Sequence, residues 1–583
     1  MIQIQNKIVV IAVLFTFQLS FGQKKEETIG SQVVNVVKPY TPTISDAYKV
    51  KDTPPTDDEG NKAKETIKYT IFSFPVASTF TPSKGKAEGV EKAKKEYSFG
   101  NYATLGVGNY GTLNAELFVT QELGNNDYLA GMFRHHSSQG GIKDVELNDK
   151  FYDTSLDLAY GMNDRYMSWN VDLGYQNQVY NWYGLPSEFG ANLSQNDRAL
   201  LVGAIAPKHS YNTITLGGKM EFTESIFDKV SLNYTRFMDG LDSAENRFSF
   251  KPSFKVSVMD QTIHTDVIVD YVGGSFAANY ANTQAIKYGF TNFGIVPSFV
   301  VTEDDWTLQL GAGLFYSLDN ERSKNKIYLY PQFNASYNVV NDLMIFYVGA
   351  EGSLEQNSYA DLVGQNSFLS PTLDIKPTSK QYDVFAGLKG KLANNVNYNI
   401  NASYVNEENK ALFKSNNYSE VATNKDYAFG NSLAVVYDGV TTTSFYGELK
   451  ADFSENVTFG INARFNSYST DSKQEAWNLP TIKVGSSLEA SITKQWFAGF
   501  NVFYVGERKD GQLNTSINYI VDPTPITLKG YFDANAHVGY KYTERLTAFL
   551  RLNNIANQQY ERWLNYSVQG FQVVAGANYK FDF

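Results

Sequence analysis

"GFQVVAGANYKFDF", residues 570–583, closes the chain. From Phe571 the odd positions are Phe571, Val573, Ala575, Ala577, Tyr579, Phe581 and Phe583; the even ones are Gln572, Val574, Gly576, Asn578, Lys580 and Asp582. Successive side chains of a strand point to opposite faces, so this is a ribbon with one apolar and one mostly polar side. Left unpaired, such an edge templates aggregation. It has to find a partner strand, and its apolar side has to meet a solvent.

Composition narrows the choice of solvent. The chain has 583 residues with 15% aromatics, 40 Tyr and 40 Phe among them, and no apolar run after residue 21 that would serve as a membrane helix. Mean hydropathy is nevertheless negative, at −0.33. Abundant aromatics and glycine without long apolar runs fit strands that alternate lipid-facing and water-facing side chains. Cysteine is absent, which removes disulfides, thiol nucleophiles, thiolate-bound metals and a lipid-anchored cysteine. The net charge of −11 comes with no basic patch interleaved with aromatics, so nucleic acid is not an expected partner.

Three segments follow. Residues 1–22 carry Lys7, an apolar stretch from Ile8 to Phe17 and Gly22 before Gln23, the pattern of a secretory signal peptide. Residues 23–95 are rich in Pro and Lys with one short apolar patch, "YTIFSFPV", and read as a partly disordered arm able to dock on a partner or in a cavity. From residue 96 to 583 alternating blocks recur, such as "YFDANAHVGYKY" and "TFGINARFNSY", separated by turn signals. Tight connections at 163–164, 302–305, 340–342, 393–395, 454–456, 493–495 and 543–545 alternate with longer polar loops at 139–150, 182–208, 358–379, 409–427, 508–525 and 554–569. The fold expected is all-β: a transmembrane antiparallel β-barrel of about 22 strands, with 428–453 as one long strand. Region 199–225 is the least patterned part. Short turns and the arm belong on the periplasmic side, long loops outside the cell, and the whole in the outer membrane.

Backbone groups in lipid must all be satisfied, so the sheet must close. The last strand is expected to pair with "YSFGNYATLGVGN" (97–109), its odd face meeting lipid. Gly576, Tyr579, Phe581 and Phe583 then serve barrel closure, the aromatic girdle and the terminal signal for insertion, with Val574 where a polar residue is usual. Trp169, Trp306, Trp496 and Trp563 fall near strand ends as interfacial anchors. Trp182 ("NWYGLP") and Trp477 lie in loops and are the candidates for an extracellular ligand contact.

The stretches "AWNLP" (476–480), "YVGERKD" (504–510) and "RLTAFLRLNNIANQQYERW" (545–563) resemble the barrels of TonB-dependent receptors from Bacteroidota. The resemblance covers about 96–583, implies a 22-strand barrel and agrees with the count from turns. One departure is large: members of that family carry a folded plug before the barrel, and 23–95 is too short and too polar to be one. "SQVVNVV" (31–37) only distantly suggests a segment that TonB grips, and no TonB contact is assigned.

Catalytic patterns do not emerge. There is no Gly-x-Ser-x-Gly elbow, His-Glu-x-x-His or phosphate loop. His135 and His136 are neighbours in a strand and point apart, which makes a poor joint metal site; His264 and His537 are strand residues, the latter facing the lumen. No enzyme activity, cofactor or metal is expected. The function expected is transport across the outer membrane, as a channel or as a receptor gated by a partner. The alternative is a scaffolding subunit of an outer-membrane complex. Partners are outer-membrane lipid and a protein that fills the barrel or receives the arm.

Overall fold

The computed structural model describes residues 99–583 apart from 125, 188, 259–260, 281, 419–424 and 512–524. The expected signal peptide (1–22), arm (23–95) and the 31–37 stretch lie outside the described residues.

The alternating blocks are strands. The first are β1 (Asn101–Gly108), β2 (Leu113–Glu122), β3 (Asp127–Ser138), β4 (Phe151–Asn163) and β5 (Met167–Asn181). After the helix α1 (Gln195–Ala204) come β6 (Lys208–Phe222), β7 (Phe227–Asp239), β8 (Ala244–Val258), β9 (Gln261–Phe276), β10 (Ile286–Thr302) and β11 (Trp306–Asp319). β12 (Lys324–Val340) and β13 (Met344–Glu355) lead to the helix α2 (Tyr359–Gln365), then β14 (Thr378–Ala393), β15 (Val396–Ser415) and β16 (Leu433–Ser454). β17 (Val457–Thr470), β18 (Ile482–Ser491) and β19 (Trp496–Val505) precede a small hairpin, β20 (Arg508–Asp510) with β21 (Ile526–Leu528). The chain ends with β22 (Tyr531–Lys541), β23 (Leu546–Asn553), a second small hairpin, β24 (Glu561–Trp563) with β25 (Tyr566–Ser567), and β26 (Gln572–Phe581).

All but the two small hairpins belong to one antiparallel sheet of 22 strands, and it closes: β26 pairs with β23 on one side and β1 on the other. The register at closure sets Gly106 against Gly576 and Ala103 against Tyr579. Gly576 has no room for a side chain there. A Cβ on Gly576 would stand 2.3 Å from the Leu105 carbonyl oxygen and 2.5 Å from Cζ of Phe549.

Alternation decides the two surfaces. Leu105 and Val107, Leu156 and Leu158, Leu173 and Tyr175, Phe293 and Ile295, and Phe445 are exposed on the outer face, i and i+2 along their strands. Between them the inward positions carry Thr104, Ser155, Asp157 and Gln176. Trp306 and Trp496 are exposed at strand starts beside the short turns, and Trp169 packs edge-on to Tyr160 at the same end, as girdle residues should.

The seven tight turns fall between consecutive strands at one end of the barrel, and 433–454 is a single 22-residue strand. Four expectations change. Residues 195–204, overlapping the start of the least patterned region and within the expected 182–208 loop, form a helix capped by Ser194, whose Oγ accepts from the Asp197 amide. β15 continues to Ser415 across a register shift between Glu407 and Lys410, so its loop starts at 416, not 409. Three connections at the loop end are short, 109–112, 240–243 and 320–323. Trp563 is no girdle residue: it sits in the small β24 hairpin, its ring 5.2 Å from that of Phe413.

Candidate functional site

The inner wall changes character with height. Toward the middle, β2 to β6 present Glu116, Arg134, Asp157, Gln176 and Thr215 around a polar recess of about 450 Å³, with Arg134 bridged to Asp157 at 2.9 Å. Toward the loop end of β6 to β10 the inward positions become Tyr211, Phe237, Val272, Phe276, Tyr288 and Phe290, all buried. An apolar inner wall is stable only if something apolar covers it.

The cover is the β13–β14 loop, 356–377. Its helix α2 is started by Ser358, whose Oγ accepts from the Asp361 amide at 3.0 Å. Tyr359, Leu362 and Val363 then face the apolar wall, and Leu369, Leu373 and Ile375 follow in the descending part of the loop. The same cluster takes in Phe413 from β15, Leu433 and Tyr566, so the loop is packed from several sectors of the rim.

Polar contacts fix its place. Glu245 on β8, 1% exposed, accepts from Tyr288 Oη at 2.7 Å and from the Tyr359 and Ala360 amides at 2.6 and 3.2 Å. Its carboxylate therefore sits on the first turn of α2, where two N–H groups have no partner within the helix. Arg247, two residues on, bridges Asp270 of the wall and Asp361 of the helix. Tyr359 Oη donates to Asp239 at 3.1 Å, Asn292 Nδ2 to Gln356 at 2.7 Å, and Tyr211 Oη to the Ser367 carbonyl at 3.1 Å. Burial pushes the Tyr359 phenol well above its ordinary value, so it stays a donor at every physiological pH.

Other loops interlock above. Phe368 stacks on Tyr566 with centroids 3.9 Å apart, and Tyr566 Oη donates to the Asn431 carbonyl at 2.6 Å. Asn431 Nδ2 reaches the Trp182 carbonyl at 2.9 Å. Asp510, in the β20–β21 hairpin, accepts from the Ser415 amide and Oγ, each at 2.9 Å, and from Asn478 Nδ2 at 2.8 Å. Burial pushes the Asp510 carboxyl up, and these donors act against it. Arg508 donates to the carbonyls of Arg562 and Glu561 at 2.5 and 2.7 Å. The loops after β5, β13, β15, β17, β19 and β23 thus form one hydrogen-bonded cap over the barrel mouth.

Trp182 and Trp477 are parts of this cap. Trp182 is 2% exposed, stacked on His209 at 3.9 Å and edge-on to Tyr427; Trp477 is 3% exposed, packed on Leu412 and Val440 with Lys414 Nζ 4.4 Å from its ring centroid. Neither offers an open face to a ligand in this conformation, because a loop indole buries more apolar area against neighbouring loops than against water. Gly576 and Tyr579 lie in the closing strand, Phe581 at its end and Phe583 beyond it, 82% exposed. His135 hydrogen-bonds Thr154 and Ser137 while His136 turns to Asn114 across the lumen face, so the two imidazoles do point apart. His537 lies 3.4 Å from Glu489 on the inner wall. Glu245 and Arg247 carry no local signal of their role as cap anchors, since their partners in 359–361 are more than a hundred residues away.

No protein-family model matches the chain, and a search of curated proteins returns no relative. Solved structures do share the fold. The FrpB iron transporter from Neisseria meningitidis (F3-3 variant) superimposes with a TM-score of 0.63 at 11% identity over 84% of this chain and 82% of that one. The siderophore receptor PirA from Acinetobacter baumannii gives 0.61 at 14% over 84% and 81%, and the copper transporter OprC gives 0.58 at 12% over 84% and 84%. The fold is the 22-strand barrel of that receptor class. At these identities the likeness is one of architecture.

Proposed function

We propose that this chain is an outer-membrane transport barrel of the TonB-dependent-receptor type that lacks the receptor's plug and is closed at its loop end by its own cap. The observation that carries the reading is the change in the inner wall: polar in its middle, apolar where residues 356–377 wedge against it. A polar conduit stoppered by a packed loop conducts only when the loop moves. The transporter and receptor barrels that share the fold support the general role. Loops then face the exterior, short turns and the 23–95 arm the periplasm, and a periplasmic partner acting through the arm supplies the bias that a plug supplies elsewhere.

A specific observation favours a second reading, a scaffolding subunit of an outer-membrane complex. The cap is packed as tightly as a core, with Leu369 and Ile375 wholly buried, and is tied to the wall through Glu245 and Arg247. A permanent stopper suits a structural barrel.

Planar-bilayer conductance decides between them. Asn357 Nδ2 donates to Thr378 Oγ1 at 2.9 Å, so residues 358–376 can be replaced by a short Gly-Ser bridge without stretching the wall. The full chain is expected to be silent and the cap-deleted barrel to conduct steadily. A full chain that conducts overturns the cap as the gate. Silence in both forms overturns the conduit and leaves the scaffold.

A further inference from the structure

His135 faces away from the lumen. On β3 it shares its side with Leu129 and Phe133, which are exposed on the outer face, while Arg134 and His136, bonded to Asp157 and Asn114, turn inward. Register then fixes its company. Thr154 of β4 lies directly across from it, and Ser137 follows two residues on along the same strand. The three side chains meet: His135 Nδ1 stands 2.8 Å from Thr154 Oγ1, and Nε2 stands 3.0 Å from Ser137 Oγ.

That chain of contacts is ordered as acyl transfer needs it. With its proton on Nδ1, the imidazole donates to Thr154 and accepts the Ser137 hydroxyl on Nε2. A nucleophile, a base and a group that holds the base then stand in sequence. A hydroxyl orients more weakly than a carboxylate, but an ionised carboxylate on a lipid face would cost far more to keep. Local motifs, on which the expectation of no enzyme rests, do not register this set, because it is strand pairing that joins residues 135 and 154.

Height on the barrel names the substrate. His135 is eight residues from Asp127, where β3 leaves its short turn. At about 3.3 Å per residue and a tilt of about 40°, that is roughly 20 Å up an apolar band about 25 Å tall. Phe133, Leu156 and Tyr175 form the exposed cross-strand row just below it, a surface for acyl chains. A group at this depth meets the ester linkages that separate polar head from hydrocarbon in the leaflet at the loop end. Ser137 is 4% exposed, so Leu113 and Tyr152, its neighbours across the ladder, have to part before an ester reaches the hydroxyl.

We infer that the outer face of β3 and β4 is a serine esterase site for acyl-ester lipids, with Ser137 and His135 as catalytic residues and Thr154 positioning the imidazole. Ser137 Oγ attacks the ester carbonyl carbon as its proton passes to His135 Nε2. The C–O bond to the lipid breaks, and the departing alkoxide takes that proton. Water then attacks the acyl-serine through the same base and frees the fatty acid. The site does not depend on conduction.

The full chain, purified in detergent from cells lacking their own outer-membrane phospholipase, is given palmitoyl-oleoyl-phosphatidylethanolamine or lipid A in mixed micelles. Released fatty acid is measured by mass spectrometry, and a parallel sample is treated with hexadecanesulfonyl fluoride. Fatty acid is released from at least one of the two lipids, which tells phospholipid from lipid A as the source of the ester, and the sulfonyl adduct maps to Ser137. Ser137→Ala loses both signals. Thr154→Val lowers kcat by about tenfold at unchanged KM, and Thr154→Asn, which restores an acceptor for Nδ1, recovers most of it. Heat-modifiability on a gel confirms that each variant is folded. No fatty acid from either lipid, no adduct at Ser137, or hydrolysis that survives Ser137→Ala each overturns the site, and full activity in Thr154→Val overturns the role of Thr154.

Discussion

Glu245 is one buried carboxylate with three donors, and its replacements separate what the charge does from what the shape does. Alanine strands the Tyr288 phenol and two α2 amides in a buried site, and each unsatisfied donor costs on the order of 1–3 kcal/mol. Glu245→Ala is therefore expected to release residues 357–376, seen as fast amide exchange confined to that stretch. Glu245→Gln keeps an acceptor oxygen and should release it far less. Equal exchange in both variants would show that packing alone holds the loop. At the closing seam the contrast lies between a glycine and an aromatic. Gly576→Val forces a branched side chain to within 2.3 Å of the Leu105 carbonyl and should abolish the heat-modifiable folded band, in refolding from urea as in cells. Phe583 is 82% exposed and beyond the last strand. Phe583→Ala should refold normally in detergent yet accumulate poorly in the outer membrane, as expected if the terminal aromatics act as an insertion signal. Normal accumulation removes that role.

Elements show why some of this was legible and some was not. Strand alternation has a period of two, is local and repeats along the whole chain, so the barrel, its closure from 571–583 onto 97–109 and one long strand, expected over 428–453 and found over 433–454, could be read from residues alone. The cap could not. Phe237, Val272 and Tyr288 read as ordinary alternating positions, and only the arrival of a loop from 356–377 makes them a core. The same non-locality hid the burial of Trp182 and Trp477, whose covering partners Tyr427 and Leu412 are distant or in another loop. The helix 195–204 escaped because it buries no residue fully, and periodicity has little to report where no face is covered. For α2 stability has to come from its cap, its polar anchors and its packing on the wall, since seven residues are too few to hold a helix in water. Leu362, 1% exposed, is its central contact. Leu362→Ala removes about 2–5 kcal/mol from the cap. The backbone ladder of the closed sheet does not involve that side chain, so the thermal unfolding of the barrel should stay put while chymotrypsin begins to cut within 357–376. A matching fall in barrel melting temperature would mean that cap and wall are one cooperative unit.

The molecule as a whole has two ends under different control. The loop end is closed by contacts internal to the barrel unit, and β1 begins at the other. If the cap alone stops the conduit, deleting 23–95 leaves the planar bilayer silent, and deleting 358–376 opens it whether or not the arm is present. Conductance from the arm-deleted barrel with its cap intact would make the arm the stopper and the cap a bystander. The scaffold reading makes a different demand on the same two variants. Removing 23–95 should then strip co-purifying subunits from the barrel extracted in mild detergent, while removing 358–376 should leave the complex intact, because the cap has no exposed part in holding a periplasmic partner. A transport barrel gated by a partner predicts both effects together, a silent arm-deleted barrel that has also lost its partner and no longer takes up solute in cells. Measured side by side, conductance and complex size therefore place the arm as stopper, strap or lever, and only the last is compatible with a cap that opens on command.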